Sequence, residues 1–116
     1  AAERPRTKHL IADREFKLMK KSAYIVNSAR GPIIDEKAMV RALQAKEIAG
    51  AGLDVYENEP QIEKELFGMN NVVLAPHLGS AGKDVREGMA QRVVDNIEAL
   101  IDGKTPPNCA NPETLK

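Results

Sequence analysis

Apolar residues along this chain follow two alternating rhythms. Short, nearly unbroken runs from Ala23 to Asn27, Ile48 to Val55 and Asn71 to Pro76 read as buried strands. Elsewhere apolar residues recur at helical spacing. Phe16 and Met19 mark a short helix that Asp13 can cap, closing near the cations Lys20 and Lys21. Met39, Ala42 and Leu43 share one face of a second helix that runs to about Lys46. Asp35 is its expected N-cap, with Ile34 and Met39 placed as a hydrophobic staple. Val85, Met89, Val93, Ile97, Leu100 and Ile101 predict a long amphipathic helix over roughly 81–102. Gly103 stops it, and Pro106-Pro107 stand just beyond.

Near-continuously apolar strands separated by helices or long connections imply a parallel sheet with covered faces. Three strands are few, so the expected fold class is α/β, a partial doubly wound parallel sheet followed by a long helix. Residues 1–102 form the expected main unit, and 103–116 a polar, proline-punctuated tail that packs on another surface or stays loose. At 116 residues, 42% of them hydrophobic, the chain can bury one small core. A chain opening Ala1-Ala2-Glu3, without an initiator methionine, is expected to be a fragment or a processed product.

Composition narrows the function classes. Seventeen Lys and Arg balance seventeen Asp and Glu, which argues against a nucleic-acid or polyanion binder. There is no apolar run of membrane-spanning length and no signal-peptide pattern, so a soluble, cytoplasmic protein is expected. One cysteine, Cys109, rules out an internal disulfide framework and fits a reducing compartment. Gly50-Ala51-Gly52 imitates the start of G-x-G-x-x-G, but Val55 stands where the third glycine belongs and no helix follows. Small residues there are expected to let a helix lie close on the strand.

Parallel α/β sheets bind ligands beyond the carboxyl ends of their strands. The three exits read Asn27-Ser28-Ala29-Arg30-Gly31, then Asp54-Val55-Tyr56-Glu57-Asn58-Glu59-Pro60, then Pro76-His77-Leu78-Gly79-Ser80. An arginine, several carboxylates and a histidine are thereby expected on one edge, because neighbouring strands lie about 4.8 Å apart. Each has a plainer role taken alone. The histidine could be structural, Arg30 could pair with Asp35, and Glu57 and Glu59 could form a solvated acidic turn. Their coincidence at consecutive exits favours chemistry. Histidine donates protons near neutral pH, a carboxylate on its far nitrogen orients it, and arginine grips a carboxylate bidentately. Proton donor, orienter and anion clamp suit reduction of a 2-oxo acid, with a hydride donor still to be supplied. No metal site is expected.

The segments "LMKKSAYIVNSARGPIIDEKAMVRAL", "IAGAGLDVYENEP" and "NVVLAPHLGSA" resemble consecutive signatures of the D-isomer-specific 2-hydroxyacid dehydrogenases, nearest to the glyoxylate and hydroxypyruvate reductase branch. The resemblance covers roughly Pro5 to Asn111. It implies that residues 1–102 are the C-terminal part of a Rossmann-like NAD(P)-binding domain with its return helix, and that 103–116 belong to or pack on the substrate domain. It further implies Arg30, Glu59 and His77 as the catalytic set, with Asn27, Ser28, Ala29, Arg30, Asp54, His77, Gly79 and Ser80 at the nicotinamide end of NAD or NADP. The implied activity is hydride transfer to a 2-oxo acid such as glyoxylate or hydroxypyruvate, by a homodimer in the full-length protein. The family also holds NAD(H)-sensing corepressors, and an inactive truncated copy is a further alternative. Family members are much longer and carry a Gly-rich phosphate loop upstream. Ala2-Glu3-Arg4 replaces a usual Pro-Leu-Thr, and Gly82 and Val85 replace common threonines. Formate dehydrogenases carry glutamine where Glu59 stands, which disfavours that branch.

Overall fold

A computed structural model describes residues 6–114. The departure at Ala2-Glu3-Arg4 lies outside the described residues. The chain divides into two compact units, the first ending at Gly79 and the second beginning at Ser80.

In the first unit, β1 (Tyr24–Asn27), β2 (Gly50–Leu53) and β3 (Val72–Leu74) form one sheet in the order β1-β2-β3. Both pairings are parallel, with Tyr24 opposite Gly50 and Ala51 opposite Val72. Parallel neighbours need a crossover, and α2 (Glu36–Gln44) supplies the one between β1 and β2. The short α1 (Asp13–Leu18) precedes β1 and packs on α2. The core lies on one face of the sheet, where Phe16, Met39, Leu43, Ile48, Ala51, Leu53, Tyr56 and Leu66 are buried together. Side chains alternate across a pleated strand, so Tyr24, Val26 and Val73 point to the other face, where they are 70–75% exposed.

Helix ends depart from the sequence expectation in one place. Asp35 caps α2 as expected, its Oδ1 accepting from the Ala38 N–H at 2.9 Å. Asp13 does not cap α1: Ala12 occupies that position, and the Glu15 carboxylate accepts from its N–H at 3.1 Å. Asp13 turns instead to the Arg41 guanidinium of α2, with bonds of 3.1 and 2.7 Å. That guanidinium holds the Asp13 carboxyl below its ordinary range. Proximity of a full positive charge outweighs what a local cap offers to an exposed carboxylate.

Two glycine expectations also change. Gly50 and Gly52 were expected to admit a helix, but their neighbours are strand residues. A Cβ on Gly50 would lie 2.4 Å from the Asn71 carbonyl oxygen and 2.8 Å from the Tyr24 ring, and one on Gly52 would meet the Val26 side chain. At Gly50 the Asn71 carbonyl and the Tyr24 ring leave no room for a side chain, whereas at Gly52 a Cβ would make only ordinary contact with Val26.

In the second unit α3 (Lys83–Ile101) forms as its spacing predicts. Gly103, at φ 69°, ends it, and the Lys104 N–H reaches back to the Ala99 carbonyl at 2.8 Å. The apolar row of Val85, Met89, Val93, Ile97, Leu100 and Ile101 is exposed. Within this unit the Asn108 N–H donates to Asn96 Oδ1 of α3 at 3.0 Å. No helix among the described residues is long and apolar enough to cross a membrane.

Candidate active site

The exit of β1 is shaped by Asn27. Its side chain is buried, and both ends of its amide are used locally. Nδ2 donates to the Arg30 carbonyl at 3.0 Å, and Oδ1 accepts from the Ala29 N–H at 3.2 Å. Asn27 therefore folds the Ser28-Ala29-Arg30 turn from beneath. Arg30 is exposed at the end of this turn, with Nη1 donating to the Ala29 carbonyl at 2.7 Å. Gly31 follows for reasons of space. A Cβ there would lie 1.8 Å from the Tyr56 carbonyl oxygen, so only glycine lets the β1 exit pass against the β2 exit.

The β2 exit begins at Asp54, whose carboxylate is committed to the β3 exit. Oδ1 accepts from the Leu78 N–H at 2.6 Å and Oδ2 from the Gly79 N–H at 2.8 Å. Tyr56 is buried, and its hydroxyl donates to the Ala75 carbonyl at 2.8 Å, tying the β2 exit to the β3 exit. Burial holds the Tyr56 phenol above its ordinary range. The Tyr56 N–H donates to Glu59 Oε1 at 3.0 Å. Glu59 thereby keeps its other oxygen, Oε2, for His77 Nδ1 at 3.0 Å. An ionised carboxylate can only accept, so Nδ1 carries the proton of that bond and Nε2 is left to act elsewhere. The hydrogen bond from His77, followed by the one from the Tyr56 N–H, holds the Glu59 carboxyl below its ordinary range. His77 adopts φ 57°, a left-handed backbone that non-glycine residues seldom use and that histidine tolerates better than most.

Arg30, Glu59 and His77 line one cleft of about 480 Å³, together with Gly31, Pro32, Tyr56, Glu57, Asn58, Pro60 and Gln61. The sequence expectation that three consecutive exits meet on one edge is thus realised in the geometry. A separate apolar hollow of about 400 Å³ runs over the exposed sheet face, lined by Val26, Gly52, Leu53, Asp54, Val73, Ala75, Leu78 and Gly79. Its walls are mostly apolar, and Asp54 is the charged residue among them. Each Asp54 oxygen retains a lone pair beyond its backbone bond. Of the remaining cofactor candidates, Ser28 and Ala29 stand on the Asn27 turn, and Ser80 opens the second unit.

Sequence reasoning missed three contributors. They are Tyr56, a strand-exit residue by position, His9, and Glu36, a buried carboxylate on the first turn of α2. A pattern break signals Glu36, since a core-facing helical position carries a charge. Nothing local signals His9.

Part of a Rossmann-like α/β domain, an open parallel sheet with its polar cleft beyond the strand ends, is the class that this fold and site define. A family model described as "D-isomer specific 2-hydroxyacid dehydrogenase, NAD binding domain" matches residues 1–79. Glyoxylate reductase of Thermococcus litoralis is 50% identical over 109 residues, 94% of this chain and 33% of that protein. Among solved structures, a glyoxylate reductase from Paecilomyes thermophila superposes with a TM-score of 0.87 at 42% identity, covering 90% of this chain and 32% of that one. The NADPH-dependent glyoxylate/hydroxypyruvate reductase from Sinorhizobium meliloti, solved with NADP and malonate, gives 0.81 at 39% identity, covering 84% and 31%. The chain belongs to the D-isomer specific 2-hydroxyacid dehydrogenase family, with residues 1–79 matching its NAD-binding domain. It spans about a third of the length of the relatives it matches.

Proposed function

We propose that this chain is the catalytic edge of an NAD(P)-dependent reductase acting on a 2-oxo acid such as glyoxylate or hydroxypyruvate. The observation that carries the reading is the His77–Glu59 hydrogen bond of 3.0 Å in a cleft that Arg30 also lines. Relatives named as glyoxylate and glyoxylate/hydroxypyruvate reductases support the substrate class, and a neighbour solved with NADP supports the cofactor. In this reading residues 1–102 complete the cofactor domain and 103–116 reach the substrate domain. Assembly as a homodimer in the cytoplasm belongs to the same proposal and rests on the family resemblance.

NAD(P)H, when bound, supplies the hydride. Asp54, with Ser28, Ala29, Gly79 and Ser80, would hold the nicotinamide end. Arg30 grips the substrate carboxylate and polarises the adjacent carbonyl. His77, protonated, delivers the Nε2 proton to the carbonyl oxygen as negative charge develops there. Glu59 holds the imidazole by Nδ1 and fixes its orientation, and is itself held by the Tyr56 N–H.

The test is NADH or NADPH oxidation by the full-length protein carrying this segment, with glyoxylate and hydroxypyruvate as substrates. Turnover that survives intact in His77→Ala, or its absence from the wild type, would sink the reading.

A further inference from the structure

A second histidine–glutamate couple stands behind the first. His9 Nε2 lies 2.6 Å from Glu57 Oε1, two residues before Glu59. Its Nδ1 lies 3.8 Å from Asp35 Oδ2. Like His77, His9 has a left-handed backbone, at φ 50°. Such a conformation persists only where the surroundings over-determine it.

The surroundings do so here. The His9 N–H donates to the Pro32 carbonyl at 2.8 Å, two residues beyond Arg30. Ile11 then pairs with the same loop, its N–H on the Ile33 carbonyl at 3.2 Å and its carbonyl receiving the Asp35 N–H at 2.9 Å. Glu57, reached by the His9 ring, is fastened on its other side to α2. Its Oε2 accepts from the Glu36 N–H at 3.2 Å, and its own N–H donates to Glu36 Oε2 at 3.0 Å. Glu36 Oε1 in turn accepts from the Glu63 N–H at 2.9 Å. The residues between Glu57 and Glu63 are thus anchored at both ends, and Glu59 stands between the anchors. His9 adds a second tie from this segment to the Arg30 loop, beside the one through Glu36, its backbone N–H on Pro32 and its ring on Glu57.

We propose that His9 is a positioning residue, which sets the spacing between Arg30 and the Glu59–His77 couple by bridging Pro32 and Glu57, the cleft walls that adjoin them. It touches neither substrate nor cofactor in this role. A bond to a partly buried carboxylate is charge-assisted when the ring is protonated and still directional when neutral, so the bridge holds the two loops in register. The inference rests on the proposed reductase site for its kinetic consequence, but not for its geometric one.

The experiment uses the full-length protein and two variants. His9→Asn tolerates the left-handed backbone but cannot reach Glu57, so it removes the bridge without adding strain. His9→Gln keeps an amide that can donate to Glu57. In His9→Asn, the Glu59 carboxyl, followed by 13C NMR, titrates at higher pH than in the wild type, because its bonds to His77 and Tyr56 loosen. The kcat/KM for glyoxylate falls by about tenfold, short of the ~10²-fold that a 1 Å misplacement brings, while the Kd for NADH is unchanged. His9→Gln restores both towards the wild type. An unmoved Glu59 titration in His9→Asn, whatever the melting temperature does, overturns the proposal, as does a His9→Gln protein as impaired as His9→Asn. If the wild type does not reduce glyoxylate, the reductase reading fails and the Glu59 titration alone decides the positioning role.

Discussion

At the scale of single residues, the site is a chain of hydrogen bonds with each group committed by its neighbour. Tyr56 holds one Glu59 oxygen and His77 the other. The direct consequence concerns Glu59. Its folded-state pKa is lowered, so the bond to His77 contributes stability above the ordinary glutamate range and loses it as pH falls through the lowered value. In His77→Ala, the Glu59 carboxyl should therefore titrate at higher pH, which 13C NMR of that carboxyl can follow. The same substitution in the full-length protein should cut turnover by roughly 10²–10⁴-fold, the scale of general acid catalysis. Arg30→Lys keeps the charge but loses the planar fork, so a raised KM for glyoxylate is the expected result, read from steady-state kinetics. An unchanged KM would remove Arg30 from the clamp.

At the scale of elements, glycines separate two kinds of constraint. Gly31 packs against the Tyr56 carbonyl, a backbone atom that cannot swing aside. Gly31→Ala should force the β1 and β2 exits apart and cost at least the ~1–3 kcal/mol of an overpacked site, seen as a lower urea midpoint. Gly88 lies in the interior of α3, with nothing within 4 Å of an added Cβ. Gly88→Ala should instead stabilise α3 by about 0.5–1 kcal/mol, because alanine loses less backbone freedom in a helix. Circular dichroism at 222 nm on heating distinguishes the two. The α1 cap belongs to this scale as well. Asp13 is a good N-cap residue by type, yet Arg41 on α2 draws its carboxylate away, and nothing within six residues of Asp13 announces that partner.

At the scale of the whole molecule, apolar surface is the dominant fact. Tyr24, Val26 and Val73 leave one sheet face open, and α3 carries a separate exposed apolar row. Burying such surface gains roughly 25 cal/mol per Å², so this 116-residue chain on its own should self-associate at micromolar concentration. Sedimentation velocity checks this, and Val26→Thr with Val73→Thr should shift the distribution towards monomer. A sharply melting monomer of the unchanged chain would count against it.

What the sequence by itself determined is what period and local chemistry dictate. Three apolar runs became three parallel strands, Asp35 capped α2, and Gly103 ended α3. An arginine, several carboxylates and a histidine were legible at one edge because parallel strands force their exits there, while the choice of Glu59 over Asp54 and Glu57 came from the family resemblance. Tertiary structure decided what depends on contacts between segments far apart in sequence. His9 reaches Glu57 across 48 residues, Glu57 and Glu36 exchange bonds across 21, and Gly31 faces the Tyr56 carbonyl. No periodicity encodes such meetings, because each needs the backbone path of both partners before its distance exists. The elements that carry the site were therefore written locally, while the spacing among Arg30, Glu59 and His77 came only from packing.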